Sequence, residues 1–105
     1  MSEEKILVVD DEDHILELIK FNLEKEGYKV ITCGNGIEAL KLIKEEMPKL
    51  ILLDLMLPGM DGYDICKAIR REEAISHIPV IMITAKGEEL DKILGLELGA
   101  DDYIT

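Results

Sequence analysis

Positive charge is scarce in this chain of 105 residues, which sets 12 Lys and Arg against 23 Asp and Glu for a net charge of -11. Nucleic-acid binding leans on Lys and Arg to displace counterions from phosphates, so this chain is not itself a DNA binder. Cysteine is sparse too. Cys33 and Cys66 fit neither a C-x-x-C nor a zinc spacing, and no disulfide framework surrounds them, so both read as free thiols of a reducing compartment. The start, Met1-Ser2-Glu3-Glu4, is acidic where a signal peptide carries positive charge, and no apolar run approaches membrane-spanning length. The expectation is a cytoplasmic protein without a membrane partner. His14 and His77 have no second ligand at metal spacing and read as exposed. Also missing are glycines after the first apolar run. Asp10-Asp11-Glu12-Asp13 stands there instead, and such a loop repels a flavin or nucleotide phosphate unless a cation intervenes.

What is present suffices for one domain over residues 1–105, since 48% of the chain is hydrophobic. Ile6-Leu7-Val8-Val9 does not alternate, which predicts a strand covered on both faces. From Asp13 to Glu26, Ile15, Leu16, Ile19 and Leu23 recur at helical spacing, and Gly27 supplies the stop. Lys29 to Cys33 reads as a mixed strand at an edge. Gly34-Asn35-Gly36 is then a turn into a helix from Ile37 to about Glu46 with Leu40 and Ile43 inward, closed by Pro48. Leu50 to Asp54 is apolar and central. A third helix from Tyr63 to about Glu72 buries Ile65, Cys66 and Ile69, a strand runs from Val80 to Thr84, a fourth helix from Glu88 to Leu98, and a last strand from Asp102 to Thr105. Strands alternating with helices at this spacing require parallel pairing with helices on both faces. The expected fold is α/β, a doubly wound, flavodoxin-like sheet of order 2-1-3-4-5, whose switch point lies between the first and third strands.

Asp10, Asp11 and Asp54 would meet at that crevice, with Thr84 ending the next strand. Like charges about 4 Å apart repel by roughly 4 kcal/mol at an effective dielectric near 20, so the cluster calls for a cation. Alone, Asp11 or Asp13 could simply cap the first helix. Acids at the ends of both central strands argue for more. A hard divalent ion with oxygen ligands fits best, and magnesium typically combines one or two carboxylates with waters and a substrate phosphate.

Asp10-Asp11, the stretch Asp54-Leu55-Met56-Leu57-Pro58-Gly59-Met60-Asp61-Gly62, Thr84-Ala85 and Gly99-Ala100-Asp101-Asp102-Tyr103 together resemble the receiver domain of two-component response regulators. Their wording is most similar to receivers of the winged-helix OmpR/PhoB class. The resemblance implies a phosphoacceptor at Asp54, served by a sensor histidine kinase. It implies Mg2+, with Mn2+ as a substitute, held by Asp11, Asp54 and the Met56 backbone carbonyl, and by Asp10 largely through water. Thr84 would follow the phosphoryl oxygens, Tyr103 would be the switch aromatic, and Met56 and Lys86 would occupy the positions that tune rates. Lys92, Glu97, Asp101 and Asp102 would belong to a homodimer face. The chain would accept a phosphoryl group on itself rather than turn over a substrate, and signal to a DNA-binding output domain.

The family carries a lysine three residues after the switch tyrosine and then a fifth helix, whereas this chain ends at Thr105. The expectation is therefore a receiver truncated before both, marginal as a monomer or completing itself as a segment-exchanged oligomer. Two competing readings follow. One is a truncated or engineered fragment that keeps fold and metal site but not the switch. The other is a haloacid-dehalogenase-like phosphatase, disfavoured because its D-x-D pattern meets Met56 where the second acid belongs.

Overall fold

Each of the predicted apolar runs within the described residues becomes a strand of one parallel sheet. The structure is a computed structural model and describes residues 4–54, 57, 62–83 and 102–104, with the backbone alone at 83 and 102–104. In chain order the elements are β1 (Lys5–Val9), α1 (Asp13–Lys25), β2 (Lys29–Cys33), α2 (Gly36–Glu46), β3 (Leu50–Asp54), α3 (Gly62–Arg71), β4 (Val80–Ile83) and β5 (Asp102–Ile104). The sheet order is β2-β1-β3-β4-β5, and every pairing is parallel. The mixed strand β2 lies at one edge, and β1 and β3 lie side by side. The expected helix from Glu88 to Leu98 lies outside the described residues.

The alternation of side chains along β1 explains why its sequence shows none in polarity. Ile6 and Val8 point to one face, where they pack with Leu16 and Val30 and with the half-buried Ile19 and Leu23 of α1. Leu7 and Val9 point to the other, into a larger core shared with Ala39 and Ile43 of α2 and Ile65, Cys66 and Ile69 of α3. Both faces of the strand are thus covered, and all of Ile6 to Val9 is buried. The described helices divide between the two faces, which is the doubly wound arrangement.

Helix ends follow local chemistry. Gly27 takes φ +94 after α1. Its amide and that of Tyr28 donate to the carbonyls of Glu24 and Leu23 at 3.0 and 3.2 Å, a pairing that closes the last turn around a left-handed residue. At α2, Asn35 accepts from the Glu38 amide at 2.8 Å, so the helix begins at Gly36, one residue before the expected start. Lower in the fold, Arg70 Nη1 donates to the carbonyl oxygens of Ser76 and Ile78 at 2.7 and 2.8 Å. These two charge-assisted bonds fasten the connection from α3 into β4.

Candidate metal centre

The register of the two central strands decides what the acidic residues can do. Val9 of β1 lies opposite Leu53 of β3, so the residues that follow, Asp10 and Asp54, emerge side by side at the carboxyl edge of the sheet. Asp11 begins the turn into α1. Asp10, Asp11 and Asp54 each offer a carboxylate oxygen, and these oxygens all lie within 4.8 Å of one another. Among the described residues this is the group of carboxylates placed to hold a metal ion.

The three carboxylates differ in environment. Asp10 is buried, with 6% of its surface exposed, Asp54 is half-buried, and Asp11 is exposed. Burial pushes the Asp10 carboxyl above the ordinary value of 3.8; the Glu12 amide, donating to Oδ1 at 2.9 Å, pulls the other way, and the charges of Asp11 and Glu12 push it up again. A second backbone bond fixes the residue: the Asp10 amide donates to the Cys33 carbonyl of β2 at 3.0 Å. A buried carboxylate facing two others is costly without a compensating positive charge. The donors are all hard carboxylate oxygens at one solvent-reaching edge, which fits Mg2+ or Mn2+ and does not fit a thiolate- or imidazole-preferring ion.

Neither Asp11 nor Asp13 caps α1. The cap position belongs to Glu12, whose side chain makes no capping bond, and the turn is held instead by the Glu12 amide on Asp10. Glu12 Oε2 lies 3.1 Å from Nε2 of the exposed His14. The amide of Glu12 and the carbonyl of Cys33 also shape the site, and as backbone groups they carry no side-chain signature in the sequence. Of the other expected site residues, Met56, Thr84, Lys86, Lys92, Glu97 and Asp101 lie outside the described residues. Tyr103 and Asp102 are placed by their backbone in β5, paired with Met82 and Ile81 of β4.

The family described as the response regulator receiver domain matches residues 6–105. The chain belongs to that family. It is similar to the alkaline phosphatase synthesis transcriptional regulatory protein PhoP of Bacillus subtilis, 56% identical over 101 residues that make up 96% of this chain and 41% of the relative. The chain thus spans less than half the length of that regulator. Among solved structures, the BeF3-activated N-terminal receiver domain of Klebsiella pneumoniae RstA matches with a TM-score of 0.91 at 37% identity, covering 96% of this chain and 84% of that one. The Mn2+-bound response regulator Rcp1 matches with a TM-score of 0.87 at 30% identity, covering 97% and 80%. The family places the chain among the receiver domains of response regulators. No helix among the described residues is long and apolar enough to cross a membrane.

Proposed function

We propose that residues 1–105 form the phosphoacceptor domain of a response regulator, with Asp54 as the residue that receives the phosphoryl group. The observation that carries this reading is the convergence of Asp10, Asp11 and Asp54 within 4.8 Å at the carboxyl edge of β1 and β3. An Asp54 carboxylate oxygen forms the new bond to phosphorus while the P–N bond of a phosphohistidine on a sensor kinase breaks. The imidazole keeps the electron pair, and the product is an aspartyl phosphate. Asp11, Asp54 and the Met56 carbonyl would hold Mg2+ or Mn2+, with Asp10 assisting. When bound, such an ion would offset the negative charge that Asp54 and the incoming phosphoryl group bring together. Asp10, fixed by two backbone bonds, keeps the Asp11 turn in place against the sheet.

The similarity to RstA and Rcp1 supports the same reading, since one carries BeF3 and the other Mn2+. Thr84 would contact the phosphoryl oxygens and Tyr103 would follow it as the switch. Lys92, Glu97, Asp101 and Asp102 would line a homodimer face, and a DNA-binding output domain beyond this chain would read the state, as in a PhoP-like regulator. The setting would be cytoplasmic, and the chain would modify itself rather than act as an enzyme on small substrates. Thermal melts with and without magnesium test the metal centre: binding to the folded state raises the melting temperature. A shift in the wild type that is lost in Asp11→Ala is expected. No shift at millimolar magnesium, or an equal shift in the variant, refutes the assignment.

A further inference from the structure

The turn between β2 and α2 carries Asn35 followed by Gly36, which lacks the Cβ that would crowd its amide nitrogen. Within such a pair, the Gly36 nitrogen can attack Cγ of Asn35. The N–Cγ bond forms, the Cγ–Nδ2 bond breaks, and Nδ2 leaves as ammonia with the proton that the amide gave up. Water then opens the resulting succinimide. Opening at one carbonyl leaves an ordinary aspartate, and opening at the other leaves a β-linked isoaspartate, with an extra methylene in the main chain.

In the folded chain the Asn35 carboxamide is engaged. Its Oδ1 accepts from the Glu38 amide at 2.8 Å, and Nδ2 lies 3.4 Å from Glu38 Oε2. The turn is also tied to the metal centre. Cys33 Sγ donates to the Asn35 carbonyl at 3.1 Å, the Cys33 carbonyl accepts from the Asp10 amide at 3.0 Å, and a Cβ added at Gly34 would lie 4.0 Å from the Asp10 carbonyl oxygen. We propose that Asn35–Gly36 is a latent self-modification site, held in check by the α2 cap, whose β-linked product loosens the anchor of Asp10. The aspartate product still caps α2, because a carboxylate accepts from the Glu38 amide as the carboxamide does. The β-linked product cannot hold both the cap and the Cys33 contact. The functional meaning of this step rests on the metal-centre reading above.

The test incubates the 105-residue chain at mildly alkaline pH, folded and in urea, and maps amide-to-acid conversion by peptide mass spectrometry. Asn22, followed by Leu23, is the internal reference. Expected results are conversion at Asn35 well above Asn22 in urea, and conversion about fivefold slower when folded, the factor that a typical capping bond sets. The β-linked form, separated by chromatography, should show Asp10 amide hydrogen exchange about fivefold faster, as loss of one hydrogen bond gives. Asn35→Ser, which keeps a cap without a convertible amide, should show neither change. Equal rates folded and unfolded, conversion no greater than at Asn22, or unchanged Asp10 exchange in the β-linked form would each overturn the proposal. Magnesium melts on the same samples separate the two readings. No shift in fresh chain refutes the metal centre alone, and a shift of equal size in the β-linked form refutes the coupling.

Discussion

Replacing Asp10 by Asn should make the metal-free chain more stable. The oxygens of Asp10, Asp11 and Asp54 lie within 4.8 Å of one another, and at that separation a charged pair repels by about 3.5 kcal/mol at an effective dielectric near 20. Asp11 is exposed, so water and salt reduce its share to the range of surface charges, roughly 1 kcal/mol or less. Asn keeps the shape of Asp and its Oδ1 still accepts from the Glu12 amide, so the bond that fixes the turn survives. A net gain of about 1 kcal/mol corresponds to a rise of about 4–8 °C in melting temperature for a domain of this size. The pH dependence has a definite sign. Because the folded chain holds the Asp10 proton more tightly than the unfolded one, this residue favours folding below the ordinary value of 3.8, and that contribution is lost as pH rises through its higher folded value. The advantage of Asp10→Asn should therefore be absent in acid and grow toward neutral pH. Calorimetric melts in a chelator across that pH range measure it. A variant that melts lower than wild type at neutral pH, or an advantage largest in acid, would refute the electrostatic reasoning.

Other expectations follow from the described packing. Burial pushes the Cys33 thiol above its ordinary value of 9.0, so in the native chain it should react with a disulfide reagent far more slowly than after unfolding; equal rates would contradict its placement. Arg70→Ala removes two charge-assisted bonds to the carbonyls of Ser76 and Ile78 and should cost about 2 kcal/mol in urea unfolding, while a change under 0.5 kcal/mol would show that the connection into β4 is held otherwise. Gly27→Ala places a Cβ on a residue at φ +94 and should cost about 1 kcal/mol by the same assay; a neutral or stabilising result would contradict the left-handed cap.

Much of this architecture was legible in the residues because a buried parallel strand and an amphipathic helix leave different patterns. The mixed polarity of Lys29 to Cys33 placed β2 at an edge, and the unbroken apolar runs of β1 and β3 placed those strands side by side. Ile65, Cys66 and Ile69, read as the inward stripe of α3, are fully buried. The convergence of Asp10, Asp11 and Asp54 was legible for the same reason: strand order, once set, decides which strand ends meet. Less visible was everything that depends on backbone bonds. The capping role open to Asp11 and Asp13 falls away because the helix starts at Asp13 with Glu12 in the cap position, its carbonyl accepting from the Ile15 and Leu16 amides, and α2 begins at Gly36 because Asn35 captures the Glu38 amide. Arg70 reads as one more charge at a helix end, and only the fold shows it bridging two carbonyls. Ala39, fully buried in α2, carries too little hydrophobic surface to stand out in a helical pattern.

The central claim is that Asp54 accepts a phosphoryl group at a carboxylate-bound divalent ion. Intact-mass measurement after incubation with phosphoramidate and magnesium tests it most directly. The expected result is a phosphoryl mass gain that is acid-stable, base-labile, abolished by chelator and absent in Asp54→Asn. Label that persists in Asp54→Asn, or a wild-type chain that takes up none while retaining its magnesium-linked stabilisation, would contradict it.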